Sequence, residues 1–461
     1  MTFGFEFLYR ELTPWAFGRL TTLAAQPKPM GKIAPVHNGS GSPNTHIRTL
    51  GTSHFSSPLQ SQRDVFVEED SRVLLASMLD ELQNPPATFE LAGPRRKIFF
   101  NPTKIACGIV TCGGLCPGLN DVIRSVVMTL SYSYGVERIY GFRYGYAGLA
   151  ASLGIEPLLL TPEVVQDIHD DGGTVLGSSR GPQDSGDMIE RLQQMDVRIL
   201  FAVGGDGTLR GASALAQELQ NRDLPISVIG IPKTIDNDIH WIERSFGVAT
   251  AVEEASRALE AAHAEARGAY NGIGLVKLMG RYSGFITAHA TLANADVNFC
   301  LVPEAPFSLE GFLAALEERL LTRHHAVIAL AEGAGQDLIQ GEETKDASGN
   351  IRLKDIGLFL KEAIGRHFDR KGLETTIKYI DPSYIIRSVP ANAVDSEFCL
   401  ALGQHAVHAG MSGRTEVMVG YWNQRFTHVP IALATQQRKQ IDPQSELWQQ
   451  VLGATGQPRG M

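Results

Sequence analysis

The chain has 461 residues, of which 43% are hydrophobic and 20% are charged. This length exceeds what one hydrophobic core usually serves, and the composition excludes a disordered or fibrous chain, so two packed lobes with an appendage are expected. Lys and Arg total 41 against 50 Asp and Glu, which gives a formal charge of -9. This balance argues against nucleic acid or an anionic membrane as the main partner.

The cysteines and the apolar segments bear on the compartment. Five cysteines, a small and odd number, argue against a disulfide scaffold. Cys112 and Cys116 lie four residues apart, but no second pair with ligand spacing accompanies them, so a zinc site is disfavoured. The apolar stretches are too short to span a bilayer, and no signal-peptide pattern is found. Reduced thiols and a cytoplasmic location are therefore expected.

An arm is predicted at the start of the chain. Residues 1–33 carry aromatic side chains that a disordered tail would rarely contain, and these are expected to dock on a lobe or on a neighbouring subunit. They are Phe3, Phe5, Phe7, Tyr9 and Trp15. Residues 34–62 are rich in Ser, Gly, Pro and Asn, which predicts an extended or mobile segment. A passive, flexible extension is the alternative.

From residue 105 onward, short apolar runs end in glycine-rich loops that open helices. Residues 105–111 precede Gly113 and Gly114, and helical spacing follows over 121–130. The same order returns in the runs 199–203, 226–231, 273–278 and 326–331. Such runs indicate parallel sheets covered by helices on both faces, with ligands at the carboxyl ends of the strands. The predicted fold class is α/β, with two doubly wound α/β lobes and an N-terminal arm.

The first chemical motif is Gly-Gly-Asp-Gly-Thr at residues 204–208. Glycines allow backbone N–H groups to approach phosphate oxygens, and the N-terminus of the following helix favours anions. Asp206 is predicted to be a magnesium ligand, because Mg²⁺ bound to phosphates typically takes only one or two carboxylates. A tight turn with no ligand is the alternative.

The second motif is Pro-Lys-Thr-Ile-Asp-Asn-Asp at residues 232–238, directly after an apolar run. In an extended loop, carboxylates two residues apart point toward one side. One can then accept the proton of an attacking hydroxyl, while the other orients the acceptor or binds magnesium. Asp236 is the predicted base, and an Asx-rich turn is the alternative.

Two further glycine-rich stretches are candidate phosphate cradles. They are residues 111–120 and residues 172–180, and the second ends in Arg180, a cation able to bridge phosphates. Neither has the Gly-Lys-Ser/Thr ending of a P-loop. Singly, each is more often a structural loop.

Six segments occur in the order seen in 6-phosphofructokinases. They are Gly-Gly-Leu-Cys-Pro-Gly-Leu-Asn, Gly-Thr-Val-Leu-Gly-Ser-Ser-Arg, Gly-Gly-Asp-Gly-Thr, Pro-Lys-Thr-Ile-Asp-Asn-Asp, Met-Gly-Arg and Pro-Glu. The sequence resembles this family over residues 105–435. It is most similar to the long ATP-dependent subfamily of trypanosomatids and plants, including residues 379–387, Tyr-Ile-Asp-Pro-Ser-Tyr-Ile-Ile-Arg.

The resemblance implies the residues that hold ATP and its magnesium ion, with Asp206 acting through the ion. They are Gly113, Tyr146, Arg180, Gly181, Gly205, Asp206, Gly207 and Thr208. Around the reacting hydroxyl it implies Thr234, Asp236 and Asp238. Asp236 would act as the base, and Arg281 would stabilise charge on the transferring phosphoryl group.

The resemblance also implies the contacts of fructose 6-phosphate beyond those of Thr234 and Asp236. They are Met279, Gly280, Arg281, Glu304, Lys378, Tyr384 and Arg387. In the family, some cations that hold the 6-phosphate come from a neighbouring subunit. Tyr384 and Lys378 stand where bacterial members have His and Arg. A further bacterial Arg falls on Gly272, and Lys277 or another nearby cation is the candidate to compensate.

Gly207 and Lys233 bear on the phosphoryl donor. Diphosphate-using relatives have an Asp at the position of Gly207, where it would obstruct the α-phosphate of a nucleotide, whereas Lys233 is a residue that they share. Since the long subfamily combines Gly with Lys and uses ATP, ATP is favoured and diphosphate is the alternative. NAD or diacylglycerol kinases would leave residues 232–238 unexplained, and a non-catalytic regulatory subunit would leave the retained carboxylates unexplained.

The predicted organisation has four parts. Residues 1–100 form the arm and linker, 101–240 the nucleotide-binding lobe, 241–390 the fructose 6-phosphate-binding lobe, and 391–461 a segment returning to the lobes. The resemblance further implies a glycolytic homotetramer that responds to nucleotides. No residue identifies an effector site.

Overall fold

The computed structural model describes residues 43–61, 66–341, 344 and 351–461, which all belong to one compact unit spanning residues 41–461. The predicted arm, residues 1–33 with its aromatic side chains, lies outside the described residues, as does part of the 34–62 segment.

The strands are β1 Arg48–Thr49, β2 Phe55–Ser56, β3 Arg72–Leu74, β4 Thr88–Leu91, β5 Lys97–Ile98, β6 Ala106–Thr111, β7 Arg138–Phe142, β8 Leu158–Leu159, β9 Val197–Gly204, β10 Ser227–Pro232, β11 Gly272–Leu278, β12 Phe299–Leu301, β13 His325–Ala331, β14 Thr376–Ile380, β15 Arg414–Thr415, β16 Val417–Trp422 and β17 Arg425–Pro430.

The helices are α1 Leu119–Met128, α2 Tyr146–Leu149, α3 Pro162–Val165, α4 Ser185–Gln194, α5 Asp206–Asn221, α6 Val248–Arg267, α7 Phe285–Asn294, α8 Leu309–Arg323, α9 Ile356–Lys371, α10 Ser383–Ile386, α11 Ala393–Met411, α12 Ile431–Ala434 and α13 Glu446–Thr455. A π-helical turn, Thr129–Tyr134, continues α1.

Within the described part of the chain, the larger sheet has nine strands in the order β3-β4-β17-β16-β10-β9-β6-β7-β8. Strands β16, β10, β9, β6 and β7 are parallel, and antiparallel strands flank them on both sides. Residues 72–91, within the stretch predicted to be arm and linker, supply the edge strand β3 and its neighbour β4. Residues 48–49, in the middle of the segment predicted to be extended or mobile, also pair with the body of the protein, as β1 with β15.

The smaller sheet has four parallel strands in the order β12-β13-β11-β14. Because the strands are parallel, the loops that follow them emerge at one edge of the sheet. The loops after β11, β12 and β13 contain the predicted sugar-binding Met279 to Arg281, Glu304, and the sequence Glu-Gly at 332–333.

Helices cover both faces of each sheet. Along β9, Phe201 and Val203 join the core formed with α1 and α11, while Leu200 and Ala202 join the core formed with α4 and α5. Alternate residues of a strand point to opposite faces, so β9 is buried on both sides. The smaller sheet lies likewise between α6 and α7 on one face and α8 and α9 on the other. The predicted α/β class with two doubly wound sheets is therefore confirmed.

Among the described residues, every helix is too short or too polar to cross a lipid bilayer.

Candidate active site

The carboxyl ends of β6, β9 and β10 meet at one edge of the larger sheet. Thr111 at the end of β6 is paired with Val203 of β9, and Pro232 at the end of β10 is paired with Gly204. The three motif loops begin directly after these residues. Neighbouring parallel strands thus bring together segments that are far apart in the sequence.

The loop after β6 forms a glycine cradle flanked by two cations. Lys233 donates from Nζ to the carbonyl oxygen of Gly114 at 2.7 Å. Arg180 Nη2 would lie 3.6 Å from a Cβ added to Gly114. Ser178 Oγ donates to the Gly113 carbonyl at 2.6 Å, which attaches the 172–180 loop to this cradle. The two stretches predicted separately as phosphate cradles therefore lie against each other.

The N-terminus of α5 begins at Asp206, with Gly205 as the N-cap. A Cβ added to Gly207 would meet no heavy atom within 4 Å, so open space lies in front of this turn. Backbone N–H groups in the first turn of a helix lack intrahelical partners and attract anions. The geometry accommodates phosphate oxygens at this position.

Two residues predicted to bind the nucleotide are buried against the first turn of α5. Tyr146 is buried, and its hydroxyl donates to the carbonyl oxygen of Thr208 at 2.8 Å. Thr208 is also buried. These side chains support the first turn of α5 from below, and their direct contact with a nucleotide stays a prediction.

Asp206 is a partly buried carboxylate that lies close to two guanidinium groups. It pairs with Arg210 at 2.7 Å, and Arg438 Nη2 lies 3.7 Å from its Oδ2 atom. Burial raises the pKa of Asp206, while these two guanidinium groups lower it. An oxygen ligand beside an open phosphate cradle suits Mg²⁺, which is bound through one or two carboxylates together with phosphates. Among the described residues no cluster of three or more acidic, His or Cys side chains could hold a metal alone.

The loop after β10 holds its two carboxylates differently. Asp238 is buried, and both of its oxygens are engaged: Thr234 Oγ1 donates to Oδ1 at 2.5 Å and Arg438 Nη1 to Oδ2 at 2.6 Å. Asp236 has a buried Oδ1 atom without a hydrogen-bond partner. Asp236 is thus the carboxylate with free accepting capacity, whereas Asp238 is fixed in place.

The backbone of this loop departs from the predicted extended conformation. Asn237, between the two carboxylates, has φ 54°. Its side-chain amide donates to the carbonyl of Glu243 and accepts from the N–H of Ser245, which stabilises the left-handed conformation that Asn tolerates. The prediction of an extended loop is therefore wrong at Asn237.

Asp236 has a raised pKa, and burial is the main cause. Burial, and then the negative charges of Asp238 and Glu332, raise its pKa to about 8, against the lowering effect of Arg281. A general base works best when its pKa lies near the working pH. Asp236 therefore has the environment of a proton acceptor.

Loops of the two sheets meet at Asp236. Ser283 Oγ, after β11, donates to the carbonyl oxygen of Asp236 at 3.0 Å. Gly280, with φ 130°, allows this turn, because a Cβ there would lie 2.5 Å from the Ser283 carbonyl oxygen. Arg281 is thereby held beside Asp236, and Arg281 Nη1 donates to the carbonyl of Ile351 at 3.1 Å. Met279 packs against the core.

The sequence analysis did not identify two charged residues of this region as site residues. Glu332 follows β13 and interacts electrostatically with Asp236, Arg281 and Arg387. Its place between an apolar run and Gly333 was a signal that could have identified it. Arg438 follows a polar stretch without strand or glycine signals, so local sequence did not reveal it.

The predicted sugar-binding Glu304 has partners within the protein. Its carboxylate accepts from the backbone N–H groups of Gly284 at 3.0 Å and Ile441 at 2.9 Å. These bonds attach the loop after β12 to the N-terminus of α7 and to the segment around Ile441. A sugar contact by Glu304 stays a prediction.

The predicted 6-phosphate residues are spread over a wider surface. Arg387 stacks on the ring of Tyr384, with 4.5 Å between Cζ and the ring centroid, and Tyr384 is 75% exposed. Lys378 lies within β14 and pairs with Glu265 of α6 at 3.5 Å. Arg387 lies close enough to Glu332 to lower the pKa of that carboxyl, whereas Lys378 pairs with Glu265.

Gly272 and Lys277 lie at opposite ends of β11. A Cβ on Gly272 would lie 2.1 Å from the carbonyl oxygen of Ala266, so close packing of α6 excludes a larger residue there. Lys277 Nζ pairs with Asp381 at 2.9 Å and Asp355 at 3.2 Å. Two carboxylates already engage this amine, and its compensation for the missing bacterial Arg stays a prediction.

The five cysteines are free and buried. Burial raises the pKa of each thiol, which keeps the thiols protonated and unreactive. The expectation of reduced cysteines agrees with this arrangement.

The chain is similar in sequence to known proteins. An ATP-dependent 6-phosphofructokinase of Borreliella burgdorferi is 50% identical over 382 residues, covering 81% of this chain and 86% of that protein. An ATP-dependent 6-phosphofructokinase of Trypanosoma brucei brucei is 48% identical over 369 residues, covering 79% and 76%.

A solved structure shows the same fold at lower identity. It is the pyrophosphate-dependent phosphofructokinase from Marinobacter aquaeolei, with a TM-score of 0.64 and 20% identity, covering 76% of this chain and 91% of that one. Residues 106–410, from β6 to the last turn of α11, match the sequence profile of the family Phosphofructokinase. With the glycine cradle, the α5 N-terminus and the Asp236 loop all inside the matched region, the chain belongs to the phosphofructokinase family.

Proposed function

We propose that the chain transfers the γ-phosphoryl group of ATP to the 1-hydroxyl of fructose 6-phosphate, giving fructose 1,6-bisphosphate and ADP as a step of glycolysis. The buried, unpartnered Oδ1 atom of Asp236 carries this proposal, because it lies where loops of both sheets meet. The relatives named ATP-dependent 6-phosphofructokinase support it.

The proposed mechanism relies on positioning and electrostatics. The cradle at Gly113 and the N-terminus of α5 hold the phosphates, and Asp236 accepts the proton of the sugar hydroxyl. Asp238 and Thr234 fix the loop, and Arg281 faces the charge that develops on the transferring group. Magnesium, held through Asp206, would neutralise phosphate charge.

ATP is the proposed donor, and diphosphate is the alternative. The open space at Gly207 supports a nucleotide, since no side chain obstructs it. Lys233, the residue shared with diphosphate users, is occupied by its bond to the Gly114 carbonyl and therefore has a structural reason to be present. A coupled assay of fructose 6-phosphate with either donor tests the choice. If the protein is inactive with both donors, the proposed function is contradicted and a non-catalytic regulatory subunit is favoured.

The pH dependence of the reaction follows from Asp236. Its pKa is raised to about 8, so the ionised, proton-accepting form is lost as the pH falls. We expect kcat/KM to fall about tenfold per pH unit below pH 8, because kcat/KM reports the pKa of the free enzyme. A coupled assay over a pH series, with coupling enzymes in excess, measures this limb. A flat profile down to about pH 6 would contradict the assignment of the base.

We also propose the finer organisation. The domains are 101–240 for the nucleotide and 241–390 for the sugar, with 391–461 returning, and the strands of the two sheets support this division. The protein acts in the cytoplasm as a homotetramer regulated by nucleotides, with part of the 6-phosphate site borrowed from a neighbour. The exposure of Tyr384 and Ile385 on α10 supports an interface there.

Deletion of residues 1–33 tests the arm. We expect smaller assemblies in light scattering at micromolar concentration, because the deletion removes the aromatic side chains that are proposed to pack against a neighbouring subunit. Activity should fall in parallel if a neighbour lends a cation to the 6-phosphate pocket. A variant that keeps its full assembly and activity would make the arm a passive tail.

A further inference from the structure

Residues 437–441, here called the C-terminal strap, cross the loop that carries Asp236. The Lys439 backbone N–H donates to the carbonyl oxygen of Asp238 at 2.8 Å, and its Nζ donates to the carbonyl of Ile242 at 2.9 Å. The strap lies after residue 410, where the match to the family ends. It therefore supports the acceptor loop from outside the matched region.

The strap also contacts loops of the smaller sheet. Gln440 Nε2 donates to the carbonyl oxygen of Tyr282 at 2.8 Å, and the backbone N–H of Ile441 donates to Glu304 at 2.9 Å. The same five-residue segment thus joins the loops that follow β10, β11 and β12. The strap therefore connects the strand ends of the larger sheet to those of the smaller sheet.

Arg438 extends from the strap toward the site. Its Nη1 atom lies 2.6 Å from Asp238 Oδ2, its Nη2 atom lies 3.7 Å from Asp206 Oδ2, and its Cζ atom lies 4.3 Å from the ring centroid of Tyr282. Stacking and bidentate pairing both suit the planar guanidinium group. Arg438 therefore bridges the first residue of α5 and the last carboxylate of the acceptor loop.

The bridge has an electrostatic reason. Asp206 and Asp238 repel each other at the ends of neighbouring strands, and a cation between them offsets this repulsion. Asp238 is 9% and Asp206 15% exposed at the side chain, so the interaction is shielded from water more than a surface pair. Removing the guanidinium would leave Asp238 buried without its ion-pair partner.

We propose that Arg438 is a positioning residue of the phosphoryl transfer, which fixes Asp238 and holds the donor side at Asp206 and the acceptor loop at one separation. This role rests on the proposed function. It adds a residue from beyond the matched region to the active site. Arg438 acts through the two carboxylates and is assigned no contact with either substrate.

The test compares Arg438→Gln with Arg438→Lys in the full-length protein. We expect Arg438→Gln to lower kcat by about thirtyfold while both KM values change by less than about threefold, because small displacements of reacting groups affect turnover more than binding. Arg438→Lys keeps a cation near Asp238 and should return kcat to within about fivefold of the wild type.

Arg257→Gln is the matched control. Arg257 pairs with Glu253 within α6 at 2.8 Å and is 63% exposed, so its removal is expected to change kcat by less than about threefold. A wild-type kcat in Arg438→Gln would overturn the proposal. So would an equal loss in both Arg438 variants with a lowered melting temperature, since that result indicates a purely structural role. The wild type, measured in the same assay, tests the proposed function separately: its inactivity would remove that function and this role with it.

Discussion

Replacement of Asp236 by asparagine is expected to lower kcat by about a hundredfold or more. The substitution removes the proton acceptor and nearly preserves size, so the affinity for ATP should change little. Initial-rate kinetics of the purified variant, with ATP binding measured by calorimetry, check this expectation. A folded variant with near-normal turnover would remove Asp236 from the mechanism.

The stability of this variant distinguishes lost chemistry from lost structure. The folded-state pKa of Asp236 lies above the usual carboxyl value, so its ionisation opposes folding and native stability decreases as the pH rises toward 8. Asparagine carries no charge at any of these pH values. Asp236→Asn should therefore melt at or above the wild-type temperature, most clearly above pH 8, and a lower melting temperature would point to lost structure.

Replacement of Gly207 by aspartate should reduce kcat/KM for ATP by about a hundredfold, because like charges brought together in a binding site cost several kcal/mol. The new side chain would project into the open space in front of the α5 N-terminus, where phosphates are proposed to lie. Diphosphate activity need not appear, since one substitution removes a donor without building a site for another.

Gly207→Ala is the control for this prediction. Gly207 is helical and has room for a Cβ, so alanine should fold at least as well and keep ATP turnover. An aspartate in the first turn also interacts favourably with the helix dipole. Unfolding is therefore not the expected cause of the lower ATP activity of Gly207→Asp. Equal ATP kinetics in the Ala and Asp variants would refute the steric and electrostatic argument for the donor.

The sequence predicted the parts of the site that depend on strand ends. Apolar runs followed by glycine-rich loops identified β6, β9 and β10, because parallel strands with buried faces have a local pattern. Their adjacency then brings the cradle at Gly113, the turn at Asp206 and the loop at Asp236 together. These features need no information beyond the order of strands and loops.

The features that the sequence did not predict depend on distant contacts. Arg438 reaches Asp238 across two hundred positions of sequence, with no local pattern to indicate it. The conformation of Asn237 depends on bonds to Glu243 and Ser245 within its own loop. Gly272 occupies a point of contact between β11 and α6, which sequence comparison presented only as a missing Arg. Local sequence patterns do not predict such contacts between distant residues.

The order in which the strands of the larger sheet occur in the chain has a consequence for folding during synthesis. Its central strand β10 pairs with β16, Ile229 opposite Val417, and all four strands of the smaller sheet lie between them in the chain. During synthesis, the smaller sheet is complete while one edge of β10 still lacks its neighbour. Open strand edges and pairings distant in sequence slow folding and promote aggregation. The nascent chain is therefore most exposed to misassembly just before residues 417–430 leave the ribosome.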